Sequence, residues 1–209
     1  MISFNKNNWI FTLFFILTKF CKYRKLLKQC LINNNFAQEF SIDQIISLDL
    51  NSLKNNNIEV LVLDYDGVLC EQGEIKPLPQ VIAWLERALL VFGEHKIFIL
   101  SNNPLLARQE FFNKYFNNQI IFIKNKPKPY PDGIAEIYDY LQSYLGRSQE
   151  KSHMLIIDDR LSTGILAAKI FGIASCLVLN PYTNIRKQFV IESWFIFLRK
   201  LERLIIWHS

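Results

Sequence analysis

Asp64 and Asp66 stand two residues apart in Asp64-Tyr65-Asp66-Gly67-Val68, where an apolar run ends. Ser101-Asn102-Asn103 ends a second run, Lys126-Pro127-Lys128-Pro129 follows a third, and Asp158-Asp159 closes a fourth. Phosphoryl transfer needs an in-line nucleophile and neutralisation of the phosphoryl oxygens. An aspartate carboxylate is such a nucleophile in aspartyl-phosphate enzymes, and Asp64 suits that task. A loop from Tyr65, turning at Gly67, brings Asp66 to the substrate as general acid and base. Mg²⁺ takes oxygen ligands and usually keeps several waters, so two carboxylates plus substrate oxygens suffice to hold it. Ser101 and a lysine of the 126–129 segment would hold phosphoryl oxygens. Singly these features are weak, since an acidic pair at a strand end also caps a following helix. The ordered set is more specific, because buried strands have few reasons to end in carboxylates.

The elements that must position this set alternate. Apolar runs at 58–64, 96–101, 120–123, 153–158 and 174–179 predict buried strands. Helix-like segments lie near 79–92, 104–116, 133–145 and 161–171, with Gly93, Gly146 and Gly172 where helices should stop. Repeated β-α units with apolar strands imply an α/β fold, a parallel sheet covered on both faces. In such sheets ligands sit outside the carboxyl ends of the strands, where the acids, hydroxyl and lysine converge.

Over residues 45–205 this order of motifs resembles the haloacid dehalogenase (HAD) superfamily, whose pattern is hhhhDxDxT/V, hhhS/T, Lys, then an acidic pair or GDxxxxD. The detail is similar to the YqeG-like, subclass IIIA phosphatases, which include phosphatidylglycerophosphate phosphatases. The matching pieces are LVLDYDGVL (61–69), the Trp84 helix, SNNPLLAR (101–108), KPYPDGIAEI (128–137), DDRLSTGILAAKIFG (158–172) and LVLNP ending at Pro181. The resemblance implies a HAD-like Rossmannoid three-layer sandwich, with Asp64 as nucleophile and Asp66 as general acid whose backbone carbonyl also meets Mg²⁺. It implies phosphate binding by Ser101, supported by Asn102, and by Lys128, since KPYPDGI fits the family's register better than a start at Lys126. Asp159 completes the metal site. Two positions depart: Val68 replaces the usual Thr, and Gly164 stands where the second acid of the fourth motif belongs. Asp158 is gained at the other end of that motif and is expected to compensate as a fourth metal-site residue.

Thirty-seven residues separate Asp64 from Ser101, and 27 separate Ser101 from Lys128. A helix and its loops nearly fill each interval, so no cap domain is expected. An open site suits a phosphate carried on something large, such as a lipid headgroup.

Residues 1–34 carry six basic side chains and no acid, while the remainder holds 18 basic against 19 acidic residues. The net charge of +5 is therefore local, and the body is not expected to bind nucleic acid. The apolar run WIFTLFFIL (9–17) is about half the length of a spanning helix. Leu13, Ile16, Leu17, Phe20, Tyr23, Leu27, Cys30 and Leu31 recur at helical spacing beside Lys19, Lys22, Arg24, Lys25 and Lys28. That pattern predicts a helix in a membrane interface; packing on the protein's own core is the plainer alternative. Segment 183–209 holds a second amphipathic helix, expected to pack on the sheet domain, with Trp194 and Trp207 suited to interfacial contact. The expected division is a basic apolar extension over 1–34, a HAD-like hydrolase domain over 35–182 and a C-terminal helix over 183–209.

The four cysteines are scattered and match no zinc or redox spacing, which suits a reducing compartment. His95, His153 and His208 match no ligand spacing. The expectation is a cytoplasmic, peripherally membrane-associated, magnesium-dependent phosphomonoesterase acting on a lipid-borne phosphate. Alternatives are a soluble sugar- or nucleotide-phosphate phosphatase and a phosphate-binding scaffold weakened by Gly164. A response-regulator receiver is excluded, because its acidic pair precedes its phosphorylated aspartate.

Overall fold

The computed structural model describes residues 9–32, 39–103, 105–124, 126–145 and 150–208. The first eight residues of the basic extension, its residues 33–34, and Gly146 lie outside them. Six strands form one parallel sheet: β1 (Glu39–Ile42), β2 (Val60–Leu63), β3 (Ile97–Leu100), β4 (Ile120–Ile123), β5 (Met154–Asp158) and β6 (Ala174–Val178). Their order is β1-β6-β5-β2-β3-β4. The helices are α1 (Trp9–Ile32), α2 (Leu50–Asn55), α3 (Pro79–Phe92), α4 (Leu106–Tyr115), α5 (Asp132–Leu145), α6 (Leu166–Phe171) and α7 (Phe189–Trp207). The result is a Rossmann-like three-layer sandwich.

Strand alternation builds both faces. Leu61 and Leu63 of β2 join one core with Leu53 of α2, Trp84 and Leu85 of α3 and Phe112 of α4. Val60 and Val62 point the other way, onto Ile134, Ile137 and Leu141 of α5 and Ala167 and Ala168 of α6. Every residue of β2 is buried, which explains an unbroken apolar run rather than a polar-apolar alternation. Pro79 at the first turn of α3 has no amide hydrogen to leave unpaired. Gly172, at φ +86°, lets the chain leave α6 in the left-handed region.

The chain builds outward from β2 through β3 to β4, then returns to place β5 on the other side of β2. The strand order thus reverses between β2 and β5, the topological switch point where α/β sheets bind ligands.

Helix α2 was not predicted, and three further features differ from expectation. β1 is an edge strand whose Glu39 and Ser41 interrupt its apolar pattern. The expected helix 161–171 divides into a π-helical turn, Leu161–Ile165, and α6. The third is the way α1 and α7 use their faces.

The second half of α1 buries Phe20, Leu27 and Cys30 against Leu161, Ile165 and Leu166, Leu177 of β6 and Ile206 of α7. The Cys30 Sγ lies 3.5 Å from the Ser175 hydroxyl. The first half leaves Ile10, Phe11, Leu13, Phe14 and Leu17 exposed, Phe14 by 68%. Helix α7 turns its charge inward: Glu192, Arg199 and Glu202 are buried, while Trp194, Phe197, Leu201 and Trp207 face outward. Lys28 of α1 donates to the Trp207 carbonyl at 3.1 Å, joining the ends of the two helices. Among the described residues no helix is both long and apolar enough to cross a membrane.

Candidate active site

Asp64 follows β2 directly, and its amide donates to the Ile157 carbonyl of β5 at 2.9 Å. Asp158 ends β5 and Asp159 follows it, so the sheet's central pairing brings three carboxylates together. Among the described residues, Asp64, Asp158 and Asp159 each offer an oxygen within 4.8 Å of the others. Asp158 is fully buried and Asp159 is 2% exposed.

Lys128 lies between them. Its Nζ is 2.7 Å from Asp64 Oδ1 and 2.5 Å from Asp158 Oδ2. Burial opposes its charge, but the Asp158 and Asp64 carboxylates outweigh that cost and hold its pKa above the usual lysine value. Lys126, the other lysine of the segment, pairs with Glu136 at the surface, 3.4 Å away. Burial raises the Asp64 pKa well above the usual carboxylate range, with Lys128 only partly offsetting it. Asp159 is pushed up to about 6, again by burial, against the opposing charge of Arg199.

Asn102 positions the lysine rather than facing the cleft with a free amide. Its Nδ2 donates to the Lys128 carbonyl at 3.1 Å, and its Oδ1 accepts from the Lys128 amide at 2.7 Å. The Ser101 hydroxyl is buried and accepts from the Asn103 amide at 3.1 Å. Asp64, Asp66, Gln72, Asn102, Asn103, Lys128, Asp159, Arg160, Thr163 and Phe195 line the cleft.

Gly67 makes the turn after Asp64 at φ +85°, in the region glycine adopts without strain. A Cβ there would lie 2.6 Å from Asp159 Oδ2, so the close approach also requires glycine. Beyond the turn, Arg108 of α4 clamps Asp66 with two bonds: Nη1 to Oδ2 at 2.9 Å and Nη2 to Oδ1 at 2.6 Å. The Gly73 amide adds a third, to Oδ1 at 2.9 Å. Such forked arginine–carboxylate pairs fix orientation as well as charge. Arg108 itself is fully buried over the Tyr65 ring, 4.1 Å from its centroid.

The departure at Gly164 has a spatial counterpart. A Cβ on Gly164 would fall on the Asp158 carboxylate, 2.6 Å from its Cγ. The carboxylate gained at 158 therefore fills the room that a side chain at 164 would need. Asp158 is held there by Lys128, by the Arg160 amide at 2.9 Å and by the Thr163 hydroxyl at 3.1 Å.

Four further residues at the site carry no role in the sequence reading: Arg108, which closes the SNNPLLAR motif, Arg160, Arg199 and Glu202. Arg199 of α7 donates through Nε to Asp159 Oδ2 at 2.6 Å. Glu202 accepts from Arg160 Nη2 and from the Ser162 hydroxyl, each at 2.6 Å. A signal existed: Glu192, Arg199 and Glu202 are seven and three residues apart, one charged helical stripe in a segment rich in apolar residues.

Magnesium fits this donor set. No hydrogen bond among the described residues claims Asp64 Oδ2 or Asp159 Oδ1, and hard oxygen donors of this kind suit Mg²⁺. Both oxygens of Asp158 accept hydrogen bonds, Oδ2 from Lys128 and Oδ1 from the Arg160 amide and the Thr163 hydroxyl.

An open parallel sheet with this order of acids, lysine and acidic pair at its switch point defines a phosphatase of the HAD class, a phosphoric monoester hydrolase. Residues 24–183 match the family described as mitochondrial PGP phosphatase, and the chain belongs to that family. No curated protein and no solved structure matches the chain.

Proposed function

We propose that the protein hydrolyses the terminal phosphomonoester of phosphatidylglycerophosphate, or of a closely similar lipid, through a phosphorylated Asp64. The observation that carries this reading is the Lys128 ammonium, 2.7 Å from Asp64 and 2.5 Å from Asp158 at the mouth of β2. A cation so placed can take the phosphoryl oxygens as they approach Asp64.

In this scheme Asp64 attacks phosphorus in line with the ester oxygen. The P–O ester bond breaks and Asp66 protonates the departing alkoxide. Water, deprotonated by Asp66, then attacks phosphorus of the aspartyl-phosphate, releasing inorganic phosphate and restoring Asp64. General acid–base help of this kind is typically worth about 10²–10⁴-fold. Arg108 orients Asp66 for both proton transfers, and Lys128 and the Ser101–Asn103 segment meet the phosphoryl oxygens. Asp64, the Asp66 carbonyl and Asp159 would hold Mg²⁺, which when bound neutralises charge on the transferring group.

The substrate side follows from the family and from the surface. The exposed apolar half of α1 and the outward row of α7 suit a bilayer interface, and the one-signed charge of α1 suits anionic headgroups. Tyr130, two residues beyond Lys128, touches α1 through Thr12 at 3.1 Å and through the Phe15 ring. The lysine segment therefore adjoins the proposed membrane face. We place the protein as a peripheral membrane protein in a reducing compartment, cytoplasmic or within the mitochondrion that its family's description names; its described cysteines are free thiols.

Phosphate release from phosphatidylglycerophosphate in mixed micelles, beside a panel of sugar and nucleotide monophosphates, tests the substrate. A preference for the soluble esters would return the protein to the soluble-phosphatase alternative.

A further inference from the structure

Helix α7 borders two clefts. Phe195 lines the catalytic one. Ile196, Arg199, Lys200 and Arg203 line a second, closed by Leu179, Asn180, Pro181 and Thr183 from the segment after β6. Three cations line this second cleft, and no carboxylate is among its lining residues.

The cations are set in place. Arg203 donates through Nη2 to the Leu179 carbonyl at 3.0 Å. Arg199 is 4% exposed and reaches only one oxygen of Asp159, with Nε at 2.6 Å and Nη2 at 2.5 Å. Its Nη1 is a buried donor with no acceptor among the described residues. Buried donors in native proteins nearly always have a partner, so Nη1 marks where an acceptor is missing. The same guanidinium that steadies Asp159, a residue of the catalytic cleft, thus forms a wall of the basic one.

We propose that this basic cleft binds a lipid phosphodiester, the anionic group a phosphatidylglycerophosphate headgroup retains after its terminal phosphate is removed. The proposal rests on the lipid reading above. A singly charged diester matches a cleft that offers cations and neutral polar groups without a metal-binding carboxylate. The outward apolar row of α7, including Phe197, Leu201 and Leu204, flanks the cleft on the side where acyl chains would lie. Two sources share this chemistry: the substrate's own diester and that of a neighbouring anionic lipid.

Lys200 is exposed, so replacing it spares the core. The full chain and its Lys200→Ala, Lys200→Glu and Lys200→Arg variants are assayed on short-chain phosphatidylglycerophosphate in non-ionic micelles and on sn-glycerol 3-phosphate, a monoester lacking the diester. Lys200→Ala should lower the lipid-to-glycerol-phosphate ratio of kcat/KM by about three- to tenfold, mainly through KM, as expected for one charge-assisted contact. Lys200→Glu should lower it further and Lys200→Arg should restore it. An effect in micelles free of other anionic lipid assigns the cleft to the substrate's own diester. An effect that emerges only with added phosphatidylglycerol, together with activation of the wild type, assigns it to a neighbouring lipid. An unchanged ratio in both micelles, with a wild type that prefers the lipid, overturns the proposal. A wild type without that preference sinks the substrate reading instead. Binding of phosphatidylglycerol micelles by the wild type but not by Lys200→Glu then decides the cleft independently.

Discussion

The Asp158 carboxylate stands where a side chain at position 164 would have to go: a Cβ on Gly164 would lie 2.6 Å from Asp158 Cγ. The acid missing from one end of the fourth motif and the acid gained at the other are thus a single spatial exchange. Gly164→Asp alone should overpack the site, destabilising the protein by about 1–3 kcal/mol and cutting kcat/KM. Asp158→Gly alone should remove a partner of Lys128. The double variant restores the GDxxxxD arrangement and should recover both melting temperature and activity relative to either single change. Additive losses in that cycle would separate the two positions.

Asp64→Asn keeps the side chain's shape and removes the proposed nucleophile. Turnover should fall below detection while the melting temperature stays within a few degrees. Acid-quenched wild-type enzyme should carry phosphate on Asp64, identified by peptide mass spectrometry; phosphate on any other residue would refute the scheme. Full chelation with EDTA should abolish activity, and added Mg²⁺ should return it.

Arg108 grips both oxygens of Asp66, so its loss should resemble damage to Asp66. Asp66→Asn should lower kcat by about 10²–10⁴-fold. Arg108→Lys retains charge but not the fork, and should lower kcat much more than it changes KM. Steady-state kinetics on a small aryl phosphate separates the two constants. An Arg108→Lys enzyme with unchanged kcat would show that Asp66 needs no clamp.

The two halves of α1 should respond differently. Phe11→Asp with Phe14→Asp alters only exposed positions. This pair should weaken vesicle sedimentation and lipid hydrolysis, leaving aryl phosphate hydrolysis and melting temperature nearly unchanged. Leu27→Ala empties a fully buried position and should destabilise by about 2–5 kcal/mol. Removal of residues 1–34 would strip Leu27 and Cys30 from the β6 face and is expected to unfold or aggregate the chain rather than release a soluble enzyme. Wild-type vesicle binding should weaken with salt but persist, since each Lys or Arg adds about 1 kcal/mol near an anionic surface and the apolar contact is not screened. Equal vesicle binding by the Phe11 and Phe14 double variant would return α1 to a packing role.

Gly67→Ala should be far worse than a typical surface change. It strains a φ of +85° and drives a methyl against the Asp159 carboxylate. Activity should collapse before global stability does, measured by kcat/KM against the thermal midpoint.

Much of this protein was legible along the chain. The five apolar runs of β2–β6, the Asp64–Asp66 pair, the Ser101 and Lys128 segments and the acidic pair are local patterns. Their meaning follows from one rule, that parallel strands present their carboxyl ends together. Between Lys126 and Lys128, spacing left both open without the family resemblance; burial separates them, since one reaches Asp64 and the other Glu136. The role of α7 was hidden because amphipathicity shows that a helix has two faces, not which one turns inward. Its polar stripe is buried only because Asp159, Arg160 and Ser162, some 40 residues earlier, supply partners for Arg199 and Glu202. Likewise α1 reads as one continuous apolar stripe, yet its second half is buried over β6 while its first half keeps Ile10, Phe11, Leu13, Phe14 and Leu17 exposed, because β6 and the turn before α6 reach only the second half. The chemistry was written in residue types and spacing. The identity of the side chains that hold it depended on contacts between distant segments, which no local period encodes.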